Sequence, residues 1–94
     1  MIRSPDQPQT IGVIIPAFNE AENLLHVLKV VCAVDWVEQI VVVDDGSTDG
    51  TLDVARLSAT SDERVLVIHM PENLGKADAL LTGIQAVSTD IVIF

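Results

Sequence analysis

Positive charge is scarce in this chain: five Lys and Arg stand against fourteen Asp and Glu, a formal net charge of -9 over 94 residues. Sequence-independent nucleic-acid binding rests on clustered basic side chains, and anionic membrane surfaces attract the same groups, so neither is an expected partner. Long apolar runs are missing as well. The longest strictly apolar stretches, such as Val30 to Val34 and Ile40 to Val43, fall far short of the ~18 residues that span a bilayer. The start, Met1 to Pro8, holds one base, one acid, two prolines and no apolar h-region, so it does not read as a secretory signal, and the expected compartment is the cytosol. A single cysteine, Cys32, rules out an internal disulfide, and among Val30, Val31, Ala33 and Val34 it reads as a small buried hydrophobe.

Several catalytic motifs are absent too. No G-x-G-x-x-G follows the first apolar run, and Met70 stands where a phosphate-cradling loop ending in Gly75-Lys76 needs its first glycine. No Ser occupies a G-x-S-x-G elbow, and the lone Cys lies inside a helical segment. These gaps exclude the dinucleotide fingerprint, the P-loop and covalent catalysis by Ser or Cys.

What is present is a chain that folds. It is 49% hydrophobic and 20% charged, too apolar for disorder, and its length allows one small domain at most. Residues 1–10, polar and with two prolines, read as a flexible lead-in, and the domain proper spans 11–94. Four short apolar runs, Ile11 to Ile15, Gln39 to Val43, Val65 to His69 and Ile91 to Phe94, alternate with three segments of helical spacing. The order is β-α-β-α-β-α-β. Continuous Val and Ile runs mark strands buried on both faces, so the expected class is α/β, a Rossmann-like parallel sheet with helices on both faces.

Asn19 with Glu22 three residues on has the form of a capping box for the first helix, whose stripe is Ala21, Leu24, Leu25, Leu28, Val31 and Cys32. The second helix is expected to open at Ser47 or Thr48 and bury Leu52, Ala55 and Ala59. The third opens near Gly75 and buries Ala77, Leu80, Leu81, Ile84 and Val87. The last strand, Ile91 to Phe94, has no cap, turn or charged finish and reads as an interior strand of a longer domain, with an exposed sheet edge that offers a route to oligomers.

Open parallel sheets bind ligands beyond the carboxyl ends of their strands. Three loops meet on that rim: Pro16-Ala17-Phe18-Asn19-Glu20, Asp44-Asp45-Gly46-Ser47-Thr48-Asp49-Gly50-Thr51, and Met70 to Lys76. Pro16 lacks an amide and is expected to end its strand. Phe18 offers a flat face to a ligand or a ring to the core. Adjacent Asp44 and Asp45 repel one another unless a cation, amide donors or a ligand meets them. Either they accept from a base or ribose, or Asp45 forms an Asx-type turn with Ser47 or Thr48. Lys76, the only base on the rim, stands at a helix start suited to phosphate, or else is a solvated lysine. Glu20, Asp44, Asp45, Asp49 and Glu72 would repel a diphosphate, so a divalent metal with oxygen ligands is implied, Mg or Mn.

Read together, Pro16 to Glu20, Val42 to Thr51 and Asn73-Leu74-Gly75-Lys76-Ala77 resemble the family 2 inverting glycosyltransferases. The resemblance covers residues 11–94 and implies the nucleotide-binding first half of a GT-A fold. It implies a nucleotide-diphosphate sugar as partner, UDP- or GDP-linked, with Pro16, Phe18 and Glu20 lining the base and ribose pocket. An aspartate of Asp44-Asp45 bonds the base, and Lys76 approaches the base or diphosphate. The Asp-x-Asp-type metal motif and the general base of such enzymes fall beyond Phe94, so no metal ligand is expected in this chain. The alternative reading is a non-catalytic nucleotide-binding or interaction module. A nucleotidyltransferase needs a Gly-rich, Arg-containing loop after the first strand, which Pro16 to Glu20 lacks.

Overall fold

The computed structural model describes residues 9–94, in which four strands and three helices alternate. They are β1 Ile11–Ala17, α1 Ala21–Cys32, β2 Val37–Asp45, α2 Thr51–Ser61, β3 Val65–Met70, α3 Lys76–Ala86 and β4 Ile91–Ile93. All strands are parallel, in the order β3-β2-β1-β4. The chain steps outward from β1 to β3 through α1 and α2, then returns through α3 to the other side of β1. Right-handed crossovers running in opposite directions along a sheet place their helices on opposite faces.

The two faces follow the period of two along β2. Ile40 and Val42 meet Leu24, Leu28 and Ala55 beneath α1 and α2, whereas Val41 and Val43 meet Ile14, Met70 and Ala79 beneath α3. Ile40 to Val43 are fully buried, as the unbroken apolar run requires. The α/β architecture is thus the expected one.

Several local expectations are corrected. Pro16 does not end β1, which continues to Ala17 with Pro16 paired to Val43. β4 pairs with β1 only as far as Val13, so Pro16 sits where one side of the strand carries no ladder and a missing N–H is tolerated. Thr10 is no part of a loose lead-in. It is buried; its N–H and hydroxyl donate to Asp90 Oδ2 at 2.8 and 3.1 Å, and its hydroxyl oxygen accepts the Asp90 N–H at 3.0 Å. Residues 1–8 of the expected lead-in lie outside the described residues.

The buried face of α3 is Ala79 and Gly83, with Leu80, Ala86 and Val87 partly covered; Leu81 and Ile84 are exposed. Gly83 explains the choice of face, since a Cβ there would stand 2.5 Å from Ile14 Cγ2. Small residues let the helix approach the sheet, and the larger ones turn outward. In α1 the buried line is Leu24 and Leu28, with Val31 and Cys32 partly covered and Leu25 exposed. Burial and the neighbouring Asp62 push the Cys32 thiol pKa up, in keeping with its reading as a packed hydrophobe. In α2, Thr51 and Ala55 are buried, Ala59 is partly covered, and Leu52 is only half-buried.

Candidate functional site

At the carboxyl ends of β1 and β2, on the α3 side, lies a cleft of about 260 Å³. Its walls include Pro16, Phe18, Glu20, Asp45 and Lys76, together with Asn73. Five of the six residues singled out in the sequence therefore converge. Asp44 does not join them. Successive side chains of a strand point to opposite faces, so Asp44 turns toward α1 and α2 while Asp45 turns toward α3.

Both aspartates are buried, and both are met by donors. Asp44 Oδ1 accepts the Ser47 N–H at 3.2 Å, and its Oδ2 lies 2.8 Å from His69 Nδ1. The Asx-type contact of this loop thus belongs to Asp44 and not to Asp45. Asp45 Oδ1 accepts the Leu74 N–H at 2.9 Å, and Oδ2 accepts the Gly75 N–H at 3.1 Å and Asn73 Nδ2 at 3.0 Å. One carboxylate thereby fixes the loop that leads into α3. Gly46 makes this contact possible: its φ is +71°, and a Cβ would meet the Glu72 carbonyl carbon at 2.4 Å.

Gly75, at φ +101°, precedes Lys76, the first residue of α3. Lys76 is exposed, forms no ion pair with another described residue, and stands at the positive end of a helix dipole on the cleft wall. This is the position at which an anion is best met.

The second loop departs from expectation. α2 begins at Thr51, not at Ser47 or Thr48, and the freed Ser47-Thr48-Asp49 segment bonds to Asn19 and Ala21 instead. Asn19 is likewise no helix cap: Glu20 holds that position, and Asn19 has φ +49°. Its Oδ1 accepts the Thr48 N–H at 2.8 Å and the Asp49 N–H at 3.3 Å. The Thr51 hydroxyl and N–H donate to Asp49, which holds that carboxyl below the ordinary aspartate range. The bonds of Asn19 to this loop join residues 28 to 30 positions apart, so no local spacing rule could have found them.

Among the described residues, no three His, Cys, Asp or Glu side chains are placed to hold one metal ion. Asp44 and Asp45 cannot share one cation, because they turn to opposite faces of the sheet. Among the same residues, no helix is long and apolar enough to cross a membrane.

The family model described as "Glycosyl transferase family 2" matches residues 12–94. The chain belongs to glycosyltransferase family 2. It is 36% identical over 87 residues to the glycosyltransferase AglE of Haloferax volcanii, an alignment covering 89% of this chain and 29% of that protein. Among solved structures, the mannosyltransferase PcManGT from Pyrobaculum calidifontis, in complex with GDP-Man and Mn2+, superposes with a TM-score of 0.83 at 31% identity. That match covers 94% of this chain and 27% of the other. Glucosyl-3-phosphoglycerate synthase from Mycobacterium tuberculosis, in complex with Mn2+, UDP-glucose and phosphoglyceric acid, gives a TM-score of 0.73 at 33% identity, covering 89% of this chain and 31% of its own. The Rossmann-like sheet of this family 2 chain is that of the GT-A glycosyltransferases. It spans under a third of the length of each of these relatives.

Proposed function

We propose that the cleft binds the nucleoside diphosphate of a UDP- or GDP-linked sugar and serves as the donor half of an inverting glycosyltransferase. The observation that carries this reading is the convergence of Pro16 and Asp45 at the ends of β1 and β2, Phe18 and Glu20 in the turn after β1, and Lys76 at the start of α3 on one cleft. Phe18 offers an exposed ring on which a base stacks, and Pro16 closes the wall beside it. Glu20 accepts from ribose hydroxyls. Asp45 Oδ1 takes only one N–H from the chain and so keeps acceptor capacity for a base N–H. Lys76 and the α3 N-terminus meet the diphosphate.

In the transfer, an acceptor hydroxyl oxygen bonds to the anomeric carbon as the bond from that carbon to the diphosphate oxygen breaks, and the hydroxyl proton passes to a base. In-line displacement inverts the anomeric centre. The residues described here bind and orient the donor; the base, the acceptor site and the ligands of a divalent cation, Mg or Mn, are assigned outside them. The donor complexes of PcManGT and of glucosyl-3-phosphoglycerate synthase, both with Mn2+, support the donor class.

The test is donor kinetics of the full-length protein with Phe18→Ala and Lys76→Ala. A rise in donor KM with acceptor KM unchanged supports the reading, and unchanged donor KM in both variants contradicts it.

A further inference from the structure

Asn19 does not line the cleft, yet its two neighbours Phe18 and Glu20 do. Its backbone is left-handed at φ +49°, a conformation that Asn tolerates better than most side chains and that costs energy unless something holds it. The holder is the Ser47–Thr51 loop. Three successive amides of the first loop donate into its side chains: Asn19 N–H to Ser47 Oγ at 2.9 Å, Glu20 N–H to Thr51 Oγ1 at 2.9 Å, and Ala21 N–H to Asp49 Oδ2 at 3.5 Å. In return, Asn19 Oδ1 accepts two successive amides, Thr48 and Asp49, at 2.8 and 3.3 Å. Bonds run in both directions, so neither loop can shift without the other.

We propose that Asn19 is a positioning residue for the donor site, clasped by the Ser47–Thr51 loop so that Phe18 and Glu20 face the cleft in fixed geometry. The acid- and hydroxyl-rich loop after β2 is then a brace and does not itself contact the ligand. This rests on the nucleotide reading of the cleft.

Three variants separate backbone from side chain. Asn19→Gly keeps the left-handed turn and loses the acceptor, Asn19→Asp keeps both, and Ser47→Ala removes the partner of the Asn19 N–H. UDP and GDP are the probes, titrated into the full-length protein, with thermal unfolding and amide hydrogen exchange measured alongside. We expect Asn19→Gly and Ser47→Ala to raise the dissociation constant roughly tenfold, the loss of about one hydrogen bond's worth of order. Exchange at the Glu20 and Ala21 amides should speed up in both, and Asn19→Asp should restore both readouts toward wild type. Wild-type affinity and unchanged exchange in Asn19→Gly would overturn the clasp. Should that variant fail to fold, Ser47→Ala carries the test with the same two outcomes. A wild-type protein that binds neither nucleotide, with exchange nonetheless faster in Asn19→Gly, would sink the nucleotide reading while leaving the clasp standing as a structural device.

Discussion

Asp44 and His69 meet at 2.8 Å, carboxylate Oδ2 to imidazole Nδ1, at paired positions of β2 and β3. Val42 and Val67, two residues earlier on each strand, belong to the core under α1 and α2, so the pair lies on the face of the sheet opposite the cleft. Two adjacent aspartates therefore have separate tasks.

Asp44→Ala should cost stability without weakening the ligand. It removes the buried carboxylate and strips the part-buried Ser47 N–H and the partly exposed His69 of their acceptor, a loss of about 1 kcal/mol. Urea denaturation checks the stability, and the nucleotide dissociation constant of the folded variant should stay within about twofold of wild type.

Lys76→Ala should do the reverse. The side chain is exposed and without an ion pair among the described residues, so the melting temperature should hold. Loss of one charge-assisted contact to a phosphate should weaken nucleotide diphosphate binding about tenfold, measured by calorimetry.

Gly46→Ala should be among the most damaging single-methyl additions. The residue sits at φ +71°, and the new Cβ would collide with the Glu72 and Asn73 backbone at 2.4 to 2.5 Å. We expect a loss of at least about 2 kcal/mol, seen in thermal unfolding, with the Leu74 and Gly75 amides losing protection from exchange as Asp45 releases them.

The pH dependence of stability should carry a signature of Asp62. Hydrogen bonds from the Arg64 side chain, first among the causes, hold its carboxyl at about 2 against an ordinary 3.8. A depressed folded-state pKa contributes stability that is complete above the unfolded value and lost as pH falls through the folded one. The contribution, about 1 kcal/mol for this partly exposed pair, should be intact at pH 5 and fade between pH 4 and about 2. Asp62→Asn should lower stability at pH 6 and converge on wild type near pH 2. Arg64 also donates to the Cys32, Val34 and Val37 carbonyls, so Arg64→Ala should destabilise at every pH.

The parts of the fold written in local pattern were legible beforehand. The Val and Ile run of β2 announces it because a strand buried on both faces admits little else, whereas the edge strands β3 and β4 leave Leu66, Ile91 and Ile93 exposed. The rim loops followed from strand ends, and five of six chosen residues share the cleft. What local pattern could not carry was choice among faces and long-range bonds. Leu81 and Ile84 outweigh Ala79 and Gly83 in hydrophobicity, yet close approach to Ile14 selects the small pair. Asn19 beside an acidic first turn has the form of a cap, but its partners lie about thirty residues away. The separation of Asp44 from Asp45 was implicit in strand alternation once β2 is extended to Asp45.

The most direct test of the donor-site claim is an amide NMR titration of the labelled full-length protein with UDP and GDP. Shift changes confined to Phe18, Glu20, Asp45, Asn73 and Lys76, with Asp44 and His69 still, are the predicted result. Changes centred on the Asp44–His69 face, or none with either nucleotide, would contradict it.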